Sequence, residues 1–201
     1  MLVKELEEQK LQQIGHAFGY YDYGDEERMG ACFRDQEAVA RYINGFARMT
    51  LKGGLLYSTG ERGEGYIAYQ LPGQKVGLKA GMELMKGLFQ AMSFKELIRF
   101  FKVLSKAGPD LKDRMEKEKK PCIFVGLVCV TEGYQGQGYM RKLMEMAFAE
   151  GNRLQVPVIL DTDAKSKCDK YMHLGMELVG TRDFGENGKL YDLIKYPDAQ
   201  N

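Results

Sequence analysis

A chain of 201 residues, 44% of them apolar, is long enough to bury one hydrophobic core as a single domain over 1–201. Its 29 Lys and Arg nearly cancel 28 Asp and Glu, and a net charge of +1 gives neither nucleic acid nor a membrane surface an electrostatic claim as main partner. No apolar run approaches the roughly 20 residues of a bilayer span, and Met1-Leu2-Val3-Lys4-Glu5 turns charged too early for a secretory signal, so a cytoplasmic location is expected.

Apolar residues at Val3, Leu6, Leu11, Ile14 and Phe18 predict an amphipathic first helix. A turn-rich aromatic stretch follows, with acidic residues at 25–27. Val39, Tyr42, Ile43, Phe46 and Met49 then repeat at helical spacing, with Asp35 placed to cap a second helix. After Lys52-Gly53 the period changes, and residues 55–59 and 66–71 read as two strands joined by the Gly-rich loop 60–65. Residues 76–119 read as a helical insertion. Within it Ser93-Phe94-Lys95-Glu96 has capping-box spacing, and the charged run 112–120 reads as a solvated helix face.

The remainder alternates: a buried strand Cys122–Val130, a helix Tyr139–Leu154, a strand Val156–Thr162, a short helix Lys165–Leu174, and strands 177–181 and 190–195. That order predicts an α/β domain with a mixed sheet and helices on both faces. The four cysteines (Cys32, Cys122, Cys129, Cys168) show no CxxC spacing and the chain has only His16 and His173, so neither a metal site nor a Cys/His nucleophile is expected.

The segment that carries chemistry runs from Val128, Cys129 and Val130 through Thr131-Glu132-Gly133-Tyr134 to Gln135-Gly136-Gln137-Gly138-Tyr139-Met140-Arg141. A strand ends, glycines let backbone N–H groups converge, and a new helix adds its N-terminal dipole, which together suit a pyrophosphate. It is neither a dinucleotide fingerprint, since Arg141 stands where the third Gly belongs, nor a P-loop, which needs Gly-Lys-Ser/Thr. The run resembles the acyl-CoA signature of the GNAT superfamily, Gln/Arg-x-x-Gly-x-Gly/Ala. Downstream, Tyr171-Met172-His173-Leu174-Gly175-Met176 is similar to that family's Tyr-x-x-x-Gly-Phe segment.

The resemblance implies a mostly antiparallel central sheet splayed into a V-shaped slot, with acetyl-CoA as co-substrate and no metal. The strand ending at Val130 would be bulged; Val128 and Val130 would pair with the pantetheine arm, and the amides from Gln135 through Arg141 would hold the pyrophosphate. Tyr171 would protonate the departing thiolate. Glu132, just past the strand, is the first choice of general base, with Glu64 and the Asp161/Asp163 pair behind it. The implied reaction is N-acetylation of a primary amine, on a small molecule or peptide, by direct attack in a ternary complex. Sheet edges and the inserted helices offer surfaces for a homodimer.

Several positions depart from the pattern: Met140 replaces Gly or Ala, Thr131-Glu132 replaces Asp-Pro, Met176 replaces Phe, and Lys167 lies near the place of an Asn that often contacts CoA. They leave open the alternative of an inactive acyl-CoA-binding or partner-binding module of the same fold. Acceptor-side candidates are Tyr20, Tyr21, Tyr23, Tyr57, Tyr66 and Tyr69, with the Met- and Phe-rich insertion (Met82, Met85, Phe89, Met92, Phe100).

Overall fold

The computed structural model describes residues 1–22, 24, 32–185 and 188–199, so Tyr23 and the acidic residues 25–27 lie outside the described residues. Residues 1–3 are taken by the sheet. Leu2 bridges Tyr57, and the Val3 N–H donates to the Leu56 carbonyl. Helix α1 (Glu8–Gly19) therefore begins later than the periodicity from Val3 predicts. Helix α2 (Gln36–Lys52) starts where Asp35 accepts from the Ala38 N–H at 2.7 Å. The two helices pack closely because Gly15 lies against α2; a Cβ there would sit 2.5 Å from the Ala40 carbonyl oxygen.

Strands β1 (Leu56–Ser58) and β2 (Gly65–Gln70) form the expected antiparallel hairpin. The insertion holds α3 (Leu78–Ala91), α4 (Phe94–Lys106) and α5 (Leu111–Lys117). Gly45 of α2 meets Gly87 of α3 so tightly that a Cβ on Gly45 would stand 2.6 Å from the Gly87 Cα. The Ser93–Glu96 capping box opens α4 as predicted. The charged run is not wholly solvated: Met115 is buried with Leu111 against Ile159 and Ile194, because two apolar residues one turn apart suffice to dock a short helix.

Next come β3 (Ile123–Val130), a 3-10 turn (Glu132–Tyr134), α6 (Tyr139–Leu154), β4 (Val158–Thr162), α7 (Lys165–His173), β5 (Glu177–Asp183) and β6 (Lys189–Lys195). The sheet order is β1-β2-β3-β4-β6-β5, antiparallel except between β3 and β4. One core lies between the sheet and α1 to α4; the other lies under α6 and α7. Fully buried Asp192 on β6 ties the far side together. It binds Arg114 of α5 and, at 3.0 Å, the Arg182 Nε of β5, while the Arg182 Nη2 reaches Asp161 of β4 at 2.6 Å.

Strand β3 is bulged, and the place of the bulge decides the site. Ala68 of β2 pairs with Leu127 whereas Tyr69 pairs with Val125, so Gly126 is an extra residue on β3. The extra residue reverses which face each side chain joins. Ile123 and Val125 pack under α6, but beyond the bulge Leu127 and Cys129 enter the core of α1 and α2. Strand β4 follows β3 only for the pairs Ile123–Val158 and Phe124–Ile159, short of the bulge. Past Gly126 the parallel partner is gone and the sheet opens.

Candidate active site

The Thr131 N–H donates to the Glu64 carbonyl at 3.1 Å, which fixes the alternation along the end of β3. Odd residues direct their peptide groups toward β2, so those of Val128 and Val130 point into the gap left by β4. A slot of about 350 Å³ occupies that gap. Val128, Cys129 and Val130 form one wall, Lys167, Lys170 and Tyr171 of α7 another, and Gln135, Gly136, Gly138, Tyr139 and Met140 close the end. The remaining wall is the end of α1, through Ala17 and Phe18, with Tyr21 just beyond it.

The glycine loop has the geometry that an anion cradle needs. Gly136 and Gly138 adopt φ of 74° and 79°, and a Cβ on either would meet nothing within 4 Å. Gly138 opens α6 with no side-chain cap, leaving the first-turn amides of the helix without an intrahelical acceptor. Gln135 donates to the Val130 carbonyl at 3.3 Å, and Gln137 reaches back to the Gly133 carbonyl at 3.0 Å; both brace the loop. Met140 is half-buried: it packs against the core under α6 while edging both the slot and a neighbouring depression. Arg141 is exposed and lines a neighbouring depression with His173 rather than the slot itself. The Cys129 thiol points away, to within 3.6 Å of the Ile14 carbonyl, and burial pushes it up to about 12, well outside nucleophile range.

Tyr171 is buried on the inner side of α7 and faces two spaces at once. Beyond the slot lies a second cavity of about 380 Å³, reached across Phe18, Val128, Lys167 and Tyr171, which line both. Its walls are aromatic: Phe33, Tyr42 and Phe46 from the α2 side, Phe100 and Phe101 from α4, and Phe124 from β3. Two carboxylates, Asp161 and Asp163, enter the same space. Asp163 pairs with Lys167 at 3.2 Å, and the Lys167 ammonium sits 4.4 Å from the centre of the Phe18 ring. Burial raises the pKa of the Asp161 carboxyl, and Arg182 pulls it back.

Glu132 stands at the rim. It opens the 3-10 turn with Oε1 2.7 Å from the His16 Nδ1, both side chains more than half exposed. The pair lines a polar groove of about 1110 Å³ along α1, α2 and α3 that shares no described residue with the slot, and Glu132 also edges a shallow depression with Ala17, Tyr21 and Gln135 of the slot wall. Glu64 is buried with Oε1 3.2 Å from the Arg62 Nε, and its Oε2 finds no hydrogen-bond partner among the described residues. Tyr171, the loop and β3 are thus brought together; Glu132 borders the slot without lining it, and Glu64 does not line it.

Of the acceptor-side aromatics singled out by sequence, Phe100 reaches the apolar cavity and Tyr21 the slot. Tyr57 and Tyr69 stack on each other at 4.1 Å, and Met82, Met85 and Phe89 are exposed. Sequence reasoning passed over Phe18, Lys170 and Phe101, because each lies on a helix whose apolar or charged periodicity already accounts for it, and Phe33, which lies in the bend before α2.

No family model matches the chain, and no curated protein does. Solved structures do. An agmatine N-acetyltransferase is 15% identical, covers 96% of this chain and 97% of its own, and superposes with a TM-score of 0.59. Arylalkylamine N-acetyltransferase 2 from Aedes aegypti is 14% identical, with the same coverage and TM-score. A Drosophila melanogaster polyamine N-acetyltransferase is 13% identical, covers 96% and 98%, and gives a TM-score of 0.54. The fold of this chain is that of the GNAT acyl-CoA N-acyltransferases.

Proposed function

We propose that the protein transfers an acetyl group from acetyl-CoA to the primary amine of a small molecule with an apolar body. The observation that carries this reading is the break between β3 and β4. It turns the peptide groups of Val128 and Val130 away from β2 and into a slot that also holds Tyr171 and ends at the uncapped helix α6. Val128 and Val130 hold the pantetheine arm, and the amides of 135–141 with Lys170 hold the phosphates. The N–H of Val128 faces the thioester carbonyl oxygen, where negative charge grows during attack.

The amine enters from the aromatic cavity, because that cavity and the slot meet at Val128 and Tyr171. Asp163 attracts the ammonium and accepts its proton, directly or through one water, and the freed nitrogen bonds to the carbonyl carbon. As the C–S bond breaks, Tyr171 gives its proton to the departing sulfur and regains one from the nitrogen, leaving an amide and the thiol. Asp163 takes the base role here in place of Glu132, since it lines the cavity that Tyr171 faces and Glu132 does not. Among the amines named for the structural neighbours, arylalkylamines suit six aromatic side chains better than agmatine or polyamines do. A panel of primary amines with acetyl-CoA tests the proposal: arylalkylamines should turn over with higher kcat/KM than polyamines. Equal or reversed preference would remove the acceptor assignment, and no turnover with any amine would favour the inactive binding module.

A further inference from the structure

The outer face of the α3–α4 insertion is apolar where a helix on a protein surface is ordinarily polar. On α3, Leu78, Met82, Met85 and Phe89 recur at i, i+4, i+7 and i+11, on the side opposite buried Ala80, Gly87 and Ala91. On α4, Phe94, Ile98 and Phe101 continue the pattern at i, i+4 and i+7. Leu78, 85% exposed, and Phe94, 73% exposed, project into solvent, and Phe101 keeps an exposed side while also edging the aromatic cavity. Beside them on α4 runs a second stripe, Lys95, Arg99, Lys102 and Lys106, also at i, i+4, i+7 and i+11 and exposed throughout.

The charge is concentrated here. Residues 75–107 carry seven Lys and Arg against two Glu, a net +5, which leaves −4 for the rest of a chain whose total is +1. The near-zero total therefore conceals a basic, apolar edge. We infer that the α3–α4 hairpin docks on an anionic phospholipid surface, with Phe94, Ile98, Phe101 and the α3 stripe entering the headgroup boundary and the basic stripe of α4 lying against lipid phosphates. Protruding phenylalanines flanked by cations are the pattern of a helix lying in a membrane interface. A second copy of the chain is the poorer occupant, because it would bring two +5 hairpins together. This inference is independent of the acyl-transfer reading, and it revises the expectation from total charge that no membrane surface is involved.

Co-sedimentation of the whole protein with phosphatidylcholine vesicles, with and without phosphatidylserine, tests it. Binding should appear with the anionic vesicles alone and weaken as salt is raised. Because the chain has no Trp, Phe94→Trp supplies the sole indole, and its emission should shift to the blue on those vesicles. The exposed triple variant Lys95→Glu, Arg99→Glu, Lys102→Glu should keep the wild-type melting temperature and bind roughly 100-fold or more weakly. No binding to either vesicle, or equal binding to neutral ones, would overturn the inference. So would a concentration-dependent dimer in light scattering that Phe94→Ser dissolves, since a second copy would then cover the face.

Discussion

Tyr171 can lose its chemistry without losing its packing, because Phe keeps the ring and removes only the hydroxyl. In Tyr171→Phe, kcat should fall by about 10²- to 10⁴-fold, the usual worth of a positioned general acid, while the affinity for acetyl-CoA stays close to wild type. A change in affinity with kcat intact would assign the hydroxyl to binding instead. Asp163→Asn and Glu132→Gln separate the two base candidates by the same steady-state assay. The first should lower kcat/KM steeply and the second leave it near wild type; the reverse would return the role to Glu132 on the polar groove. At the loop, Gly138 holds a φ of 79°, which a β-branched residue adopts only at a cost of about 1–2 kcal/mol. Gly138→Val should lose acetyl-CoA binding by calorimetry, with only a modest fall in the stability of the free protein. Residues such as these were legible early, since glycine and tyrosine at fixed spacing on a strand–loop–helix mean something before any coordinates exist. The choice among Glu132, Glu64 and the Asp161/Asp163 pair as base was not, because acidic residues are common on loops and which of them shares a cavity with Tyr171 depends on geometry.

At the scale of elements, two contacts fix how the insertion meets the sheet. Gly45 and Gly87 let α2 and α3 touch backbone to backbone, and Gly45→Val would force them apart, costing about 1–3 kcal/mol by overpacking. Asp192 holds Arg114 and Arg182 in a buried network; Asp192→Ala leaves Arg114 without its carboxylate and Arg182 with Asp161 alone, and should cost about 3–5 kcal/mol in denaturant unfolding. A loss below about 1 kcal/mol, the value typical of an exposed pair, would mean that water reaches the network. Helix α6 and strands β1 to β6 could be read from periodicity, glycine and caps to within a few residues. A bulge in β3 was expected from the resemblance alone, and its place at Gly126 could not be read. A strand buried on both faces reads as one continuous apolar run, and the reversal of faces at Gly126 changes none of its residue types. The late start of α1 was likewise hidden, since Val3 fits a helical period but is claimed by the edge of β1.

Over the whole molecule, burial leaves a mark on alkaline stability. Burial pushes the phenols of Tyr42 and Tyr66 up to about 12, whereas in the unfolded chain they titrate near 10. Their contribution is fully present below about pH 10. It is lost as the pH rises toward 12, because the unfolded chain releases those protons first. Unfolding followed at increasing pH should therefore show a decline that begins near pH 10 and coincides with tyrosinate absorbance; flat stability to pH 12 would mean that these rings are solvated. The architecture as a whole was readable from strand and helix order together with two motifs. The segregation of charge is in the sequence as well, as seven Lys and Arg against two Glu over residues 75–107, but a total taken over the whole chain cancels it.

The most direct test of the account is a thermal-shift titration of the wild-type protein with acetyl-CoA, run beside Gly138→Val. Ligand at 100-fold above Kd should add roughly 2.7 kcal/mol to the folded state. For a domain of this size that corresponds to a rise of about 5–10 °C in melting temperature, absent from the variant. A wild type that does not shift, or a variant that shifts equally, would mean that the gap between β3 and β4 is not the acetyl-CoA slot, and the acyl-transfer mechanism built on it would fall.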